Sequence, residues 1–182
     1  MNKREETVLG FPRGRVPETL RRILYRELTN SQVNTIIVVI FSHLLVEEAM
    51  EDLIFRLFTF GMPRKRSKKS DEEMERKIWK NIIRTPFIRK LELIKPILYK
   101  GYPKVIETIN TVRNDVIHAR KKADRITFED KPIWEEETLA KYFHACQGAY
   151  KELSDMCELV DGFKDRYKRW AKKLEKLGIS LF

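Results

Sequence analysis

Arg113, Asn114 and His118 are the residues of this chain whose types and spacing favour chemistry on a phosphate ester. An imidazole changes its charge near neutral pH, so it can accept or donate a proton. A guanidinium can bind two oxygens of one phosphate at the same time. Asn114 stands one helical turn before His118, where its amide can orient the imidazole or bind the phosphate. Together the three side chains offer proton transfer and stabilisation of negative charge.

The segment around these residues has the periodicity of a helix with an apolar and a polar face. At 100° per residue, one stripe of aliphatic side chains spans about 60° and is predicted to face the core. This stripe consists of Val105, Ile109, Val112 and Val116. Asn110, Asn114 and His118 follow one another at i,i+4 spacing, which predicts a polar face turned away from the core.

A third stripe, between these two faces, contains Ile106, Asn110, Arg113 and Ile117. Two isoleucines therefore flank an arginine at the edge of the predicted core. Apolar residues beside a polar face indicate a second surface to be covered, and self-association is the simplest way to cover it. We therefore predict a homodimer with Ile106 and Ile117 in its interface.

The remaining sequence has helical periodicity almost throughout and only seven glycines. Residues 1–16 are predicted to form a tail and residues 17–182 a single all-α domain, a bundle of about five to seven helices. The predicted helices cover about 17–28, 31–60, 71–84, 86–101, 103–118 and 134–160, with Ser31 as the cap of the second. Asp161 and Gly162 are predicted to break the chain before a last, strongly basic helix that ends near residue 177.

Two histidines outside the motif are expected to have structural roles. His43 lies among apolar residues of the long second helix, so we predict a hydrogen-bonded side chain in the core or at an interface. His144 has no motif around it and is expected to be structural or exposed. Neither histidine is assigned to catalysis.

The cysteines and the most apolar segment indicate a reducing, aqueous setting. Cys146 and Cys157 lie in one predicted helix about 16 Å apart, too far to pair with each other, so a cytoplasmic location is expected. The N-terminal residues lack the apolar core of a secretory signal. The most apolar run, Val33–Val46, is interrupted by polar residues, which predicts a buried helix and no membrane partner.

The chain is strongly basic, with 37 Lys and Arg against 27 Asp and Glu and a net charge of +10. Such a surplus steers polyanions to a basic surface. RNA, DNA and anionic membranes all fit this charge, and so does an ordinary solvated helix face.

The string VRNDVIHA, which contains Arg113–His118, resembles the signature of HEPN domains, an Arg followed after four to six residues by His, with a polar residue often next to the Arg. Its setting is also similar to theirs: the motif stands late in a helix, after a long apolar helix and a TPFIRKLELI-type segment, and before another long helix. The architectural likeness covers roughly residues 31–160, and its specific part is the six residues of the motif.

The resemblance implies a HEPN-like helical bundle that cleaves RNA without a metal or other cofactor, in toxin–antitoxin, abortive-infection or other antiviral systems. It assigns catalysis to Arg113, Asn114 and His118, in a dimer whose two motifs face one another. RNA supplies its own nucleophile, the 2′-OH, so the protein needs a base, an acid and positive charge. A two-fold axis would supply the second imidazole.

Further polar and basic residues near the motif are candidate RNA contacts. They are Asn110, Arg120, Lys121 and Lys122 around the motif, and Arg64, Lys65 and Arg66 in a basic loop. A charge run in a loop is equally well explained as a solvated segment.

One position departs from the family pattern. HEPN toxins that are silenced by adenylylation carry a tyrosine two positions after the motif histidine, and here that residue is Arg120. Control by adenylylation is therefore not expected. A cognate inhibitor or antitoxin that binds and blocks the cleft is still compatible with the sequence. Two other functions also fit the sequence: a non-cleaving HEPN-like module that binds RNA, a nucleotide or a partner protein, and a basic helical DNA-binding protein.

Overall fold

The computed structural model describes residues 18–30, 32–60, 68–118 and 125–176. Within these ranges the chain forms an all-α bundle, which confirms the predicted fold class. Its helices are α1 (Glu18–Leu28), α2 (Thr35–Thr59), α3 (Lys68–Arg84), α4 (Phe87–Ile94), α5 (Tyr102–His118) and α6 (Glu136–Lys176), with a 3₁₀ turn at Lys95–Ile97 and two short strands, β1 (Thr127–Phe128) and β2 (Lys131–Pro132). The predicted tail lies outside the described residues.

Helix α2 is the centre of the bundle and packs against every other helix of the described chain. It begins later than predicted, because Asn34 is its cap: the Asn34 side chain accepts a hydrogen bond from the Ile37 backbone N–H at 3.2 Å. Ser31 lies outside the described residues. Apolar side chains surround much of α2, as expected of a helix covered on several sides. Across the described residues no helix, α2 included, is long and apolar enough to cross a membrane.

Helices α2 and α6 run in the same direction. The Tyr142 hydroxyl donates to the Val39 carbonyl at 3.3 Å, near the start of both helices. About five turns further along each helix, the guanidinium of Arg56 bonds the carboxylate of Asp161. The two helices therefore stay in contact over most of the length of α2.

Helix α5 runs in the opposite direction. The Tyr142 hydroxyl also lies 3.5 Å from the Ile109 carbonyl, whereas the backbone N–H of Tyr99, just before α5, donates to Glu152 at 2.9 Å. Residues earlier in α5 thus meet residues later in α6. The C-terminal half of α5, which carries the motif, consequently lies beside the N-terminal half of α2.

The predicted break at Asp161 and Gly162 is wrong, since α6 continues without interruption to Lys176. A single glycine in a helix costs only about 1 kcal/mol relative to alanine. The bond between Asp161 and Arg56 fastens this part of α6 to α2. Packing therefore outweighs the local preference for a break.

A two-stranded hairpin joins α5 to α6 where the sequence predicted only a loop. Strands β1 and β2 pair in antiparallel fashion through a turn in which Glu129 and Asp130 adopt φ of 51° and 63°. Two consecutive residues with positive φ suit the twist of a tight hairpin. The flanking Ile126, Phe128 and Ile133 are buried, so the hairpin covers part of the core.

Gly101, which precedes α5, adopts a φ of +107° that L-residues rarely take. No atom lies within 4 Å of a Cβ added there, so Gly101→Ala would strain the backbone without a clash. We expect a loss of about 1–2 kcal/mol in the free energy of urea unfolding. Gly148→Ala is the matched control: its Cβ also meets nothing within 4 Å, but it lies inside α6, so a gain of up to ~1 kcal/mol is expected. Equal effects of the two variants would contradict the assignment.

Candidate functional site

The motif occupies the last part of α5, with His118 as its final residue. The His118 side chain is exposed, and those of Arg113 and Asn114 are half-buried. The Arg113 Nη1 donates a hydrogen bond to the Asn114 Oδ1 at 2.9 Å. The structure thus brings two of the three predicted residues into direct contact and leaves the imidazole accessible.

The hydrogen bond holds the Arg113 guanidinium beside Asn114, which lies one helical turn before His118. Residues five apart point about 140° away from each other around a helix, whereas residues four apart diverge by only about 40°. The position of Arg113 on the helix would by itself direct its side chain well away from His118. The hydrogen bond instead keeps its guanidinium in contact with Asn114. The guanidinium is thus held beside the residue that stands one helical turn before His118.

The stem of Arg113 leaves α5 on the side of the protein core. Its Nε is buried and has no hydrogen-bond partner among the described residues. The Arg113 charge reaches core side chains as well, since it opposes protonation of His43 and favours ionisation of Tyr142. Burial is the larger influence in both cases and raises the pKa of Tyr142 well above its usual value.

Asn110 is not on an outward polar face, and this prediction is wrong. Its side chain is buried, and its Oδ1 lies 3.1 Å from the Nε2 of His43 on α2. An amide that is covered by the protein cannot serve as the predicted RNA contact. The expected burial of His43 is confirmed, and its ring lies 4.6 Å from that of Phe87.

The two isoleucines predicted for the dimer interface differ in position. Ile106 is fully buried within its own protomer, so its assignment to an interface is wrong. Ile117 keeps 39% of its surface exposed and remains a candidate. Val105 and Val116, expected in the core, are only partly buried and pack against its edge.

A buried polar network next to the motif was not predicted. The ammonium of Lys90 on α4 is buried and lies 2.7 Å from Glu47 and 2.5 Å from Glu51, both on α2. Burial alone would lower the pKa of Lys90, but these carboxylates raise it. Glu47 also lies 3.9 Å from the His43 ring. The i,i+4 spacing of His43, Glu47 and Glu51 was a visible signal for one polar stripe on α2.

His43 should make the protein less stable in acid. Burial is the main reason that its pKa falls from 6.5 to about 4; the Arg113 and Lys90 charges lower it further, whereas Glu47 and Asn110 raise it. Between these values the unfolded chain binds more protons than the folded one, so stability falls as pH falls. From pH 7 to pH 5 the contribution of His43 is a loss of about 2 kcal/mol.

Urea unfolding at pH 7 and pH 5 checks this prediction on the native protein and on His43→Gln. The variant should lose less stability than the native protein over this interval. His144→Gln is the control, because His144 is exposed and its Nδ1 lies 2.7 Å from Gln147 on the same helix. A pH dependence that is unchanged in His43→Gln would contradict the role of the buried imidazole.

The predicted basic RNA contacts fall outside the described residues. They are Arg64, Lys65 and Arg66 before α3, and Arg120, Lys121 and Lys122 after α5. Within the described ranges, no group of three or more His, Cys, Asp or Glu side chains could hold a metal ion.

Exposed apolar side chains occur at the end of the bundle that carries the motif. Val33, just before α2, and Ile36, in its first turn, are 37% and 45% exposed, and Ile117 near the end of α5 is 39% exposed. Because α2 and α5 run in opposite directions, the start of α2 and the end of α5 lie at the same end. The imidazole of His118 is thus displayed at an end of the bundle that also presents apolar surface.

Comparisons with profiles of known protein families, with curated proteins and with solved structures gave no match. The likeness to HEPN domains therefore rests on Arg113–His118 and on the order of the helices around it.

Proposed function

We propose that this chain is a metal-independent endoribonuclease of HEPN type that acts through Arg113, Asn114 and His118. The observation that supports it most is the contact between Arg113 and Asn114 next to an exposed imidazole on the same helix. A cation fixed by a neighbouring amide loses little freedom when it binds a phosphate. An exposed histidine can reach a ligand as large as RNA.

In the proposed reaction the ribose 2′-oxygen attacks the adjacent phosphorus, and the bond from phosphorus to the 5′-oxygen breaks. A base removes the 2′-OH proton, and an acid protonates the departing 5′-oxygen. The products are a 2′,3′-cyclic phosphate and a 5′-OH, so no water is consumed in this step. Arg113 would stabilise the charge on the phosphorane, and His118 would transfer one of the protons.

A homodimer would complete the site, because one imidazole cannot be both base and acid in the same step. Val33, Ile36 and Ile117 provide apolar surface near the motif for a second copy to cover. In a two-fold arrangement each protomer presents the same surface to the other. Both His118 side chains would then line one groove.

A role in stress or phage defence, with a cognate inhibitor, fits an enzyme that cleaves cellular RNA. A cytoplasmic location belongs to the same proposal. Cys146 and Cys157 are both buried thiols that are not joined in a disulfide, which suits a reducing compartment.

RNA cleavage in EDTA tests the proposal directly. The purified protein should convert a labelled single-stranded RNA to shorter products that end in a 2′,3′-cyclic phosphate. A DNA of the same sequence should remain intact, since it lacks the 2′-OH. Cleavage that disappears when EDTA is added would contradict the metal-free mechanism.

A non-cleaving module that binds RNA, a nucleotide or a partner protein is the second candidate. The burial of Asn110 and the partial burial of Arg113 favour it, because both reduce the polar surface that the motif offers to a substrate. Retained RNA binding without cleavage, unchanged in His118→Ala, would support this module over the enzyme.

A further inference from the structure

A cavity of about 250 Å³ lies between α2, α3 and α6, and none of the residues that line it belongs to α5. Glu48, Asp52 and Arg56 line it from α2, Trp79 from α3, and Tyr150 and Ser154 from α6. Pockets for drug-sized ligands have about 300–1,000 Å³, so this cavity fits a smaller molecule. Its lining combines carboxylates with aromatic rings.

Arg56, the basic residue of this lining, is already neutralised. Its Nη2 lies 3.0 Å from the Asp52 carboxylate, and its Nη1 bonds Asp161. Its charge is therefore shared between two carboxylates of the protein. An anionic ligand would have to displace one of these pairs before it could use the guanidinium.

Glu48 has the opposite situation. It is half-buried and makes no ion pair with the residues that the structure describes. Burial raises the pKa of this carboxyl, and the negative charges of Glu51 and Asp52 raise it further. Arg56 lines the same cavity but already pairs with Asp52 and Asp161, so a cation that enters the cavity can still stabilise the charge of Glu48.

Trp79 adds an aromatic wall. Its ring lines the cavity and packs nearly perpendicular to that of Phe55, with the ring centres 5.4 Å apart and an angle of 84°. The face of an indole attracts cations more strongly than the other aromatic side chains do. Carboxylate and indole together are the groups that bind ammonium and guanidinium compounds.

We propose that this cavity binds a small organic cation, an ammonium or guanidinium group on a short aliphatic stem, with Glu48 as its counter-ion and Trp79 as its aromatic wall. The site is independent of the RNA cleavage proposed for α5, and either function can fail without the other. The net charge of +10 repels cations from the protein as a whole. Nonspecific binding of a cation is therefore expected to be weak, and it should not mask binding at this cavity.

Isothermal titration calorimetry with 1,4-diaminobutane and with agmatine tests the site on the full chain. Both cations should bind with saturation at one site per chain, and the neutral analogue 1,4-butanediol should not. Glu48→Gln keeps the shape of the side chain and removes its charge, so we expect affinity to fall about tenfold or more. Trp79→Phe retains a ring with a weaker attraction for cations and should cause a several-fold loss.

Glu136→Gln is the control, because Glu136 is an exposed carboxylate about 20 Å from Tyr150 along α6. It should bind both cations like the native protein. Binding of the diol as tightly as of the diamine, or unchanged affinity in Glu48→Gln, would overturn the proposal. The comparison of charged and neutral ligands on the native protein decides the matter even if a variant fails to fold.

Discussion

Replacement of His118 by alanine is expected to lower the rate of RNA cleavage by about 10²–10⁴-fold. The proposed mechanism requires this imidazole for proton transfer, and His118 is the only histidine of α5. His118 is the exposed last residue of α5, so its truncation should change the stability by less than about 0.5 kcal/mol. The measurement is the initial rate of cleavage of a labelled RNA in EDTA, with thermal unfolding as the test of the fold.

His144→Ala is the matched control for this variant. His144 is also an exposed histidine, but it belongs to α6. The cleavage rate of His144→Ala should therefore equal that of the native protein. Arg113→Lys keeps the charge and loses the paired hydrogen bonds to phosphate, so cleavage should fall while the fold remains. Native rates in His118→Ala, or equal losses in both histidine variants, would refute catalysis by the motif.

The helices could be predicted because their ends carry local signals. Pro86 precedes α4, and Gly101, with its positive φ, precedes α5. Periodic apolar residues marked α2 as the core helix. The helix break predicted at Gly162 is absent, because glycine only weakly disfavours a helix. The bond between Arg56 and Asp161 joins two distant parts of the chain, so the sequence pattern does not reveal it.

The orientation of α5 was predicted less well than its existence. A helical wheel gives the angles between residues but not the width of the covered arc. Ile106, Ile109, Asn110 and Val112 are all buried, so this arc is far wider than the predicted stripe. Asn110 is covered because His43 provides a polar partner inside the core. Only the packing of α2 against α5 reveals that partner.

The spacing of residues along the sequence does not predict contacts between distant segments. Lys90 meets Glu47 and Glu51 from a different helix, and its basic side chain would normally be assigned to the surface. The cavity beside Trp79 likewise needs three helices to form. The motif residues, by contrast, were found because they are neighbours on one helix.

Lys90→Met is expected to reduce the free energy of unfolding by about 3 kcal/mol at pH 7, the largest effect on stability predicted for this chain. The methionine fills similar space but leaves Glu47 and Glu51 facing each other without the ammonium between them. Both carboxylates are largely covered, so water replaces the lost partner only in part. Urea unfolding of the two proteins measures the difference. Adding Glu47→Gln and Glu51→Gln to the variant should restore part of the loss, because it removes the unpaired charges.

Arg89→Met tests whether burial is the reason for this effect. Arg89 is next to Lys90 and also pairs with a carboxylate, Glu92 at 2.7 Å, but both of these side chains are exposed. Its loss should cost no more than about 0.5 kcal/mol. The raised pKa of Lys90 gives a second check: the folded state holds this proton more tightly, so the contribution is complete below pH 10.5 and declines at higher pH. The difference in the free energy of unfolding between the native protein and Lys90→Met should therefore shrink above that pH. Equal losses of stability in Lys90→Met and Arg89→Met at pH 7 would show that the buried ammonium contributes no more than a surface ion pair.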